Sequence, residues 1–136
     1  MADLSVASVK LRSGVPGAGL AGVTITAGQG LYLDSADNRL KLAAAADVAK
    51  ARCVGIALNG ATADQPVNYA GPGSIVDLGG GTAGLIYIVS GTAGGLSPHS
   101  DATTPSSGEN LTVVTVCKGS NLHRVVAYGA ADAALA

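Results

Sequence analysis

Glycine interrupts this chain so often that a long helix has nowhere to persist. Twenty glycines are spread over 136 residues, and each one inside a helix costs about 1 kcal/mol relative to Ala. Between the glycines lie short apolar runs: GVTITA (22–27), GLYLDS (30–35), NRLKLA (38–43), RCVGIAL (52–58), PVNYA (66–70), SIVDL (74–78), LIYIVS (85–90), LTVVTVC (111–117) and LHRVVAY (122–128). Short strands roughly eight to twelve residues apart, punctuated by turn residues, predict an all-β domain, either a small β-barrel or a β-sandwich. Turns are expected at Ala36-Asp37, at Gly71-Pro72-Gly73 and at Lys118-Gly119-Ser120-Asn121, the last a strong hairpin signal. Residues 91–110 read as one long polar loop. DVAKA (47–51) predicts one short helix, barely more than a turn, and GAADAALA (129–136) a short helix or a frayed end.

Residues 1–20 have a different character. Leu4, Val6, Val9 and Leu11 alternate roughly with polar residues, and a Gly/Pro-rich stretch, SGVPGAGLAG, follows. This predicts an extended N-terminal arm (1–20) on a flexible joint, tied to a single domain over 21–136. Such an arm can add itself to a neighbouring subunit's sheet. Asp3 stands where a secretory leader carries positive charge, and no apolar segment follows, so synthesis in a cytoplasm is expected.

The interior has an unusual supply of side chains. There is no Phe or Trp and there are four Tyr, so the core must be built from Val, Ile, Leu and Ala. Small aliphatic groups each bury modest area, which leaves a role for oligomer contacts. Charged residues are 12% of the chain, about half the usual share. With a net charge of −1 there is no basic field to attract nucleic acid, and no apolar run approaches the ~20 residues of a membrane helix. A surface with large neutral regions suits coverage by protein partners. Cys53 and Cys117 both lie in apolar runs and are expected as buried, reduced thiols.

Candidate chemistry is sparse. GxGxxG occurs at Gly17–Gly22 and at Gly79–Gly84, but VTIT and LIYIV follow where a dinucleotide site needs a helix. These glycines are expected to serve tight turns and close strand crossings. Cys53, Cys117, His99 and His123 lack the local spacing of a zinc set, and the histidines are expected at the surface or a sheet edge. Ser97-Pro98-His99-Ser100-Asp101 gathers triad residue types only as loop neighbours. Asp34 and Asp37 share one hairpin turn, where Asp bonds nearby backbone N–H groups. No catalytic, cofactor-binding or metal residues are assigned, and a structural or interaction role is expected rather than an enzyme.

Two phrases are nearly alike: TAGQGLYLDSADNRL (26–40) and TAGLIYIVSGTAGGL (82–96). Each reads as the same turn leading into a strand, a device used twice rather than a solenoid. Together with VGIAL (54–58), Gln65-Pro66-Val67, the Tyr32–Leu42 acidic hairpin and AGGLSP (93–98), in this order, the chain resembles the capsid decoration (cement, head-stabilising) proteins of tailed bacteriophages. The resemblance implies a compact β-barrel or β-tulip-like domain that binds the outside of an expanded capsid, commonly as a homotrimer at local threefold axes, and reinforces the shell. It implies the major capsid protein and copies of itself as partners, no nucleic acid, no membrane and no cofactor. It places the protein on the virion exterior after synthesis in the bacterial host cytoplasm. On this expectation Leu4, Val6, Val9 and Leu11 contact the capsid or a neighbouring subunit. The alternative is an oligomeric all-β module of a phage tail, fibre or head spike.

Overall fold

In the computed structural model the apolar runs become the strands of a sandwich of two antiparallel sheets. It describes residues 9–14, 16–44, 50, 53–81, 83–90, 93–98, 110–111, 113–119, 121–125 and 133–134. One sheet has six strands in the order β1 (Lys10–Ser13), β7 (Ile75–Asp77), β12 (Leu122–Val125), β11 (Val113–Gly119), β8 (Ile86–Val89) and β9 (Leu96–Pro98). The other has five: β2 (Pro16–Leu20), β6 (Pro66–Ala70), β5 (Cys53–Ala57), β3 (Gly30–Asp34) and β4 (Arg39–Leu42). A separate two-stranded pair joins β10 (Asn110–Leu111) to β13 (Ala133–Ala134). Of the two all-β architectures expected, the sandwich is the one observed. The helix expected over 47–51 lies outside the described residues except for Lys50.

Two apolar clusters hold the sheets. The larger lies between them: Cys53, Ile56 and Ala70 of the five-stranded sheet meet Val76, Tyr87, Val89, Val114, Cys117 and Val125 of the six-stranded one. The smaller, Ala21, Ile25, Leu31, Leu40, Ala57, Ala61 and Val67, occupies the opposite face of the five-stranded sheet. That sheet curls back on itself, because Ala21, just after β2, bridges Leu40 of β4 at the other edge. Both of its faces are therefore apolar, which is why CVGIAL (53–58) carries no polar side chain instead of alternating.

The residues expected as an arm and joint, 10–20, supply β1 and β2, one strand to each sheet. The glycines of PGAGL follow from packing. A Cβ on Gly17 would lie 2.5 Å from the Tyr69 ring, across the β2–β6 pair. GVTITA, expected as a strand, makes only an isolated bridge, in which Ile25 and Ala61 exchange backbone hydrogen bonds of 2.7 and 3.0 Å. The curl buries Ile25 without a full ladder, while Val23 stays exposed.

The two hairpins read from turn residues are present. Asp34 Oδ1 accepts from the Ala36 N–H (2.9 Å) and Asp37 Oδ1 from the Arg39 N–H (3.0 Å), with Asn38 at a positive φ of 57° between β3 and β4. Asn121, at φ 78°, turns β11 into β12. The stretch expected as a single loop over 91–110 instead contributes β9, which pairs with β8 through Val89↔Leu96, and β10.

The repeated phrase is one hydrogen-bonding device. Gly28 N–H donates to Ala57 O (2.8 Å), and Ala57 N–H donates to Gln29 O (2.9 Å). Gly84 N–H donates to Cys117 O (2.8 Å), and Cys117 N–H donates to Leu85 O (2.9 Å). In each case the turn glycine and its successor clamp one residue of a strand, with φ of 94° and 86° at the glycine. A third Thr-Ala-Gly, 92–94, ends on Gly94 at φ 80°. There the Gly94 N–H reaches Ala43 O (2.8 Å), and Gly94 O accepts from Gly30 N–H (3.1 Å), tying the β8–β9 turn to the five-stranded sheet.

Candidate interaction surface

Of the four residues expected to contact a partner, Leu4 and Val6 lie outside the described residues. Val9 and Leu11 are partly buried and pack against the core between the sheets. The pleat of β1 thus points Leu11 inward and Lys10 outward, at the edge of the six-stranded sheet.

The outward face of that sheet follows from its register. Paired residues share a face, so Lys10, Asp77 and Leu122 form one cross-strand row. Ile75, Arg124, Val116 and Ile86 form the next. The inward neighbours Val76, His123, Cys117 and Tyr87 are buried. Ile86 and Leu122 are more than one-third exposed, and Lys118 and Arg124 are exposed. Pro72, Gly73, Val116, Lys118 and Arg124 line a shallow groove across this face. Arg12 Nη2 lies 3.2 Å from Asp77 Oδ2. The Gly79 N–H bond and this guanidinium hold the Asp77 carboxyl below its ordinary value of 3.8.

The other charged cluster closes on itself. Lys41 Nζ lies 2.7 Å from Asp34 Oδ2 and 3.2 Å from Asp37 Oδ2, and Arg39 pairs with Asp64. The Lys41 bond lowers the Asp34 carboxyl and raises the Lys41 ammonium. The two carboxylates were legible as turn formers. Their lysine carries no turn signal of its own and is found only through the hairpin register, which pairs Tyr32 with Lys41.

His123, expected at the surface or an edge, is fully buried. The reason is a pair of partners from distant positions. Nε2–H donates to Gly80 O (2.8 Å), Nδ1 accepts from the Thr115 hydroxyl (3.0 Å), and the ring meets Tyr87 at a 5.2 Å centroid distance. Burial pushes its pKa below the ordinary 6.5. With both nitrogens engaged, the imidazole braces the second glycine-rich turn and has no free position for proton transfer. Gly81 lies at φ 129°, and a Cβ there would fall 2.6 Å from His123 Nε2. His99 lies outside the described residues.

Cys53 and Cys117 are buried thiols of the main core, and burial pushes Cys53 up to about 11. Among the described residues no group of three or more His, Cys, Asp or Glu converges as a metal set, and no helix is long and apolar enough to cross a membrane. What this arrangement offers chemically is a cation-rich, apolar-centred sheet face. Comparison with protein-family models and with curated protein sequences finds no match.

Proposed function

We propose that this protein is a structural component of a tailed-phage virion that binds the outer surface of the capsid and stabilises the shell. Its partners are the major capsid protein and copies of itself, as a homotrimer at local threefold sites. The observation that carries the reading is the order of phrases from Tyr32 to Pro98. They fall on strands between β3 and β9 of one sandwich, and the repeated turn phrases clamp β5 at Ala57 and β11 at Cys117. Support also comes from the outer face of the six-stranded sheet, where Ile86 and Leu122 remain exposed on a domain with few charges.

The test is occupancy. Purified expanded heads lacking the protein are mixed with it and sedimented, and the bound fraction and the heat resistance of the heads are measured. Saturable binding with a raised disruption temperature is expected. Absence of binding to such heads would overturn the proposal. Light scattering of the isolated chain separates a decoration protein that trimerises on the shell from a permanent elongated trimer of a fibre.

A further inference from the structure

We propose that the outer face of the six-stranded sheet is the docking face and that its partner is an acidic protein surface. The proposal rests on the capsid reading only for the identity of that partner. Lys10, Arg12, Lys118 and Arg124 belong to this face, half of the chain's eight Lys and Arg residues. Asp77 is its one carboxylate among the described residues, and Arg12 already engages it. Among the described residues the face therefore carries a formal excess of three positive charges (four cations less one carboxylate), on a chain whose net charge is −1. Lys118 and Arg124 make no ion pair among the described residues, in contrast to Lys41 and Arg39 on the other sheet.

Ile86, Val116 and Leu122 lie among these cations, and a protein interface has this composition: an apolar centre with charges that steer and orient. A nucleic-acid surface differs. It neutralises many phosphates and stacks bases on aromatic rings. The described tyrosines are elsewhere, with Tyr32 and Tyr87 buried and Tyr69 packed on the smaller core. A second copy of the chain is not the favoured occupant, because the described carboxylates Asp34, Asp37 and Asp64 are each taken by a cation of their own sheet.

The experiment uses the full chain, with poly-L-glutamate and a duplex DNA oligonucleotide as probes and undecorated heads as the particle. R124E and the charge-matched control K50E are compared with wild type, together with the double variant K118E/R124E. All are checked for unchanged melting. The expected result is saturable poly-L-glutamate binding, weakened about tenfold in the double variant, less in R124E and least in K50E, and screened by salt over a Debye length of about 10 Å at 0.1 M. Head occupancy should fall in the same order. Equal losses in K50E and R124E would reduce the effect to net charge and overturn the proposal, as would tighter binding to DNA than to poly-L-glutamate. Wild-type heads occupied equally well by K118E/R124E would refute the docking face and leave the capsid reading intact. Failure of wild type to occupy heads, with poly-L-glutamate binding still lost in R124E, would refute the capsid reading and leave the face intact.

Discussion

Replacing Gly55 by Ala, one methyl group in the middle of VGIAL, should be among the most damaging small changes available to this fold. Gly55 is in β5, and a Cβ built there falls 2.2 Å from the carbonyl oxygen of Ala70 and 2.8 Å from Tyr69 Cδ2. The nearer obstacle is backbone of the adjacent strand, so no rotamer change relieves it. β5 and β6 would have to part by about 1 Å, which loosens the Ile56↔Ala70 pairing and both apolar clusters at once. Overpacking of this kind costs about 3 kcal/mol, the upper part of the usual range. For a domain of this size that lowers Tm by about 10 °C. Gly55 is not at a positive φ, so the cost is steric and not torsional. Gly71 is the control: nothing lies within 4 Å of its Cβ position and its φ is not positive, so Gly71→Ala should stabilise by about 0.4–1 kcal/mol through the unfolded chain. Urea unfolding followed by far-ultraviolet circular dichroism reads both. A Gly55→Ala variant within about 0.5 kcal/mol of wild type would refute the close-approach argument, as would equal losses in the two variants.

Burial keeps His123 neutral in the folded state with its pKa below the ordinary 6.5, so the unfolded chain takes up that proton first; stability should be full above pH 6.5 and fall as pH drops below it, and His123→Gln should flatten this dependence in urea midpoints measured from pH 7.5 to 5.5. A second loss, as pH falls through and below 3.8, belongs to Asp34 and Asp77, whose carboxyls are held low by their partners; Asp77→Asn should remove part of that acid limb. Cys53 and Cys117 should resist a thiol reagent at pH 8 in the native protein and react only as fast as the chain opens, because both are buried and the Cys53 thiol is pushed up to about 11. Deleting residues 2–15 removes β1 with Leu11 and should lower the melting temperature by about 10 °C; a melting temperature within a degree or two of wild type would show that β1 contributes little.

The sequence exposed those parts of the fold in which the local signal and the tertiary outcome agree. GLYLDS and NRLKLA flank Asp and Asn turn formers, and they form the β3–β4 hairpin with the expected side-chain-to-backbone bonds. LTVVTVC and LHRVVAY pair across Asn121. PGAGL misleads, because its glycines signal flexibility locally, yet they are required by the Tyr69 ring and the Leu40 side chain that occupy their Cβ positions. GVTITA misleads in the opposite sense: it has strand residues but, among the described residues, only the Ile25 bridge to Ala61 and the Gly22 N–H bond to Leu40 O tie its backbone to distant segments. Burial of His123 could not be read locally, since Thr115 and Gly80 are 8 and 43 residues away. The docking face was similarly hidden. Lys10, Arg12, Lys118 and Arg124 are scattered in sequence, and only the strand order β1-β7-β12-β11 gathers them.

That gathering bears on how a chain with so little charge can recognise anything. A net charge of −1 gives no long-range attraction toward a negatively charged partner, so capture must be local. Segregation supplies it. The described carboxylates of the five-stranded sheet, Asp34, Asp37 and Asp64, pair in place with Lys41 and Arg39, which offset two of their three charges and so weaken their opposition to the cations of the other sheet across a thin sandwich. The Asp34–Lys41 and Arg39–Asp64 pairs are exposed enough that each adds little to stability. Their larger consequence is electrostatic: they offset most of the described negative charge of the five-stranded sheet and leave the other face, among the described residues, with a positive excess. Disrupting them with Lys41→Ala should therefore cost little in melting temperature, yet weaken poly-L-glutamate binding at low salt although Lys41 lies on the other sheet. Unchanged binding at low salt would show that the two sheets are electrostatically independent.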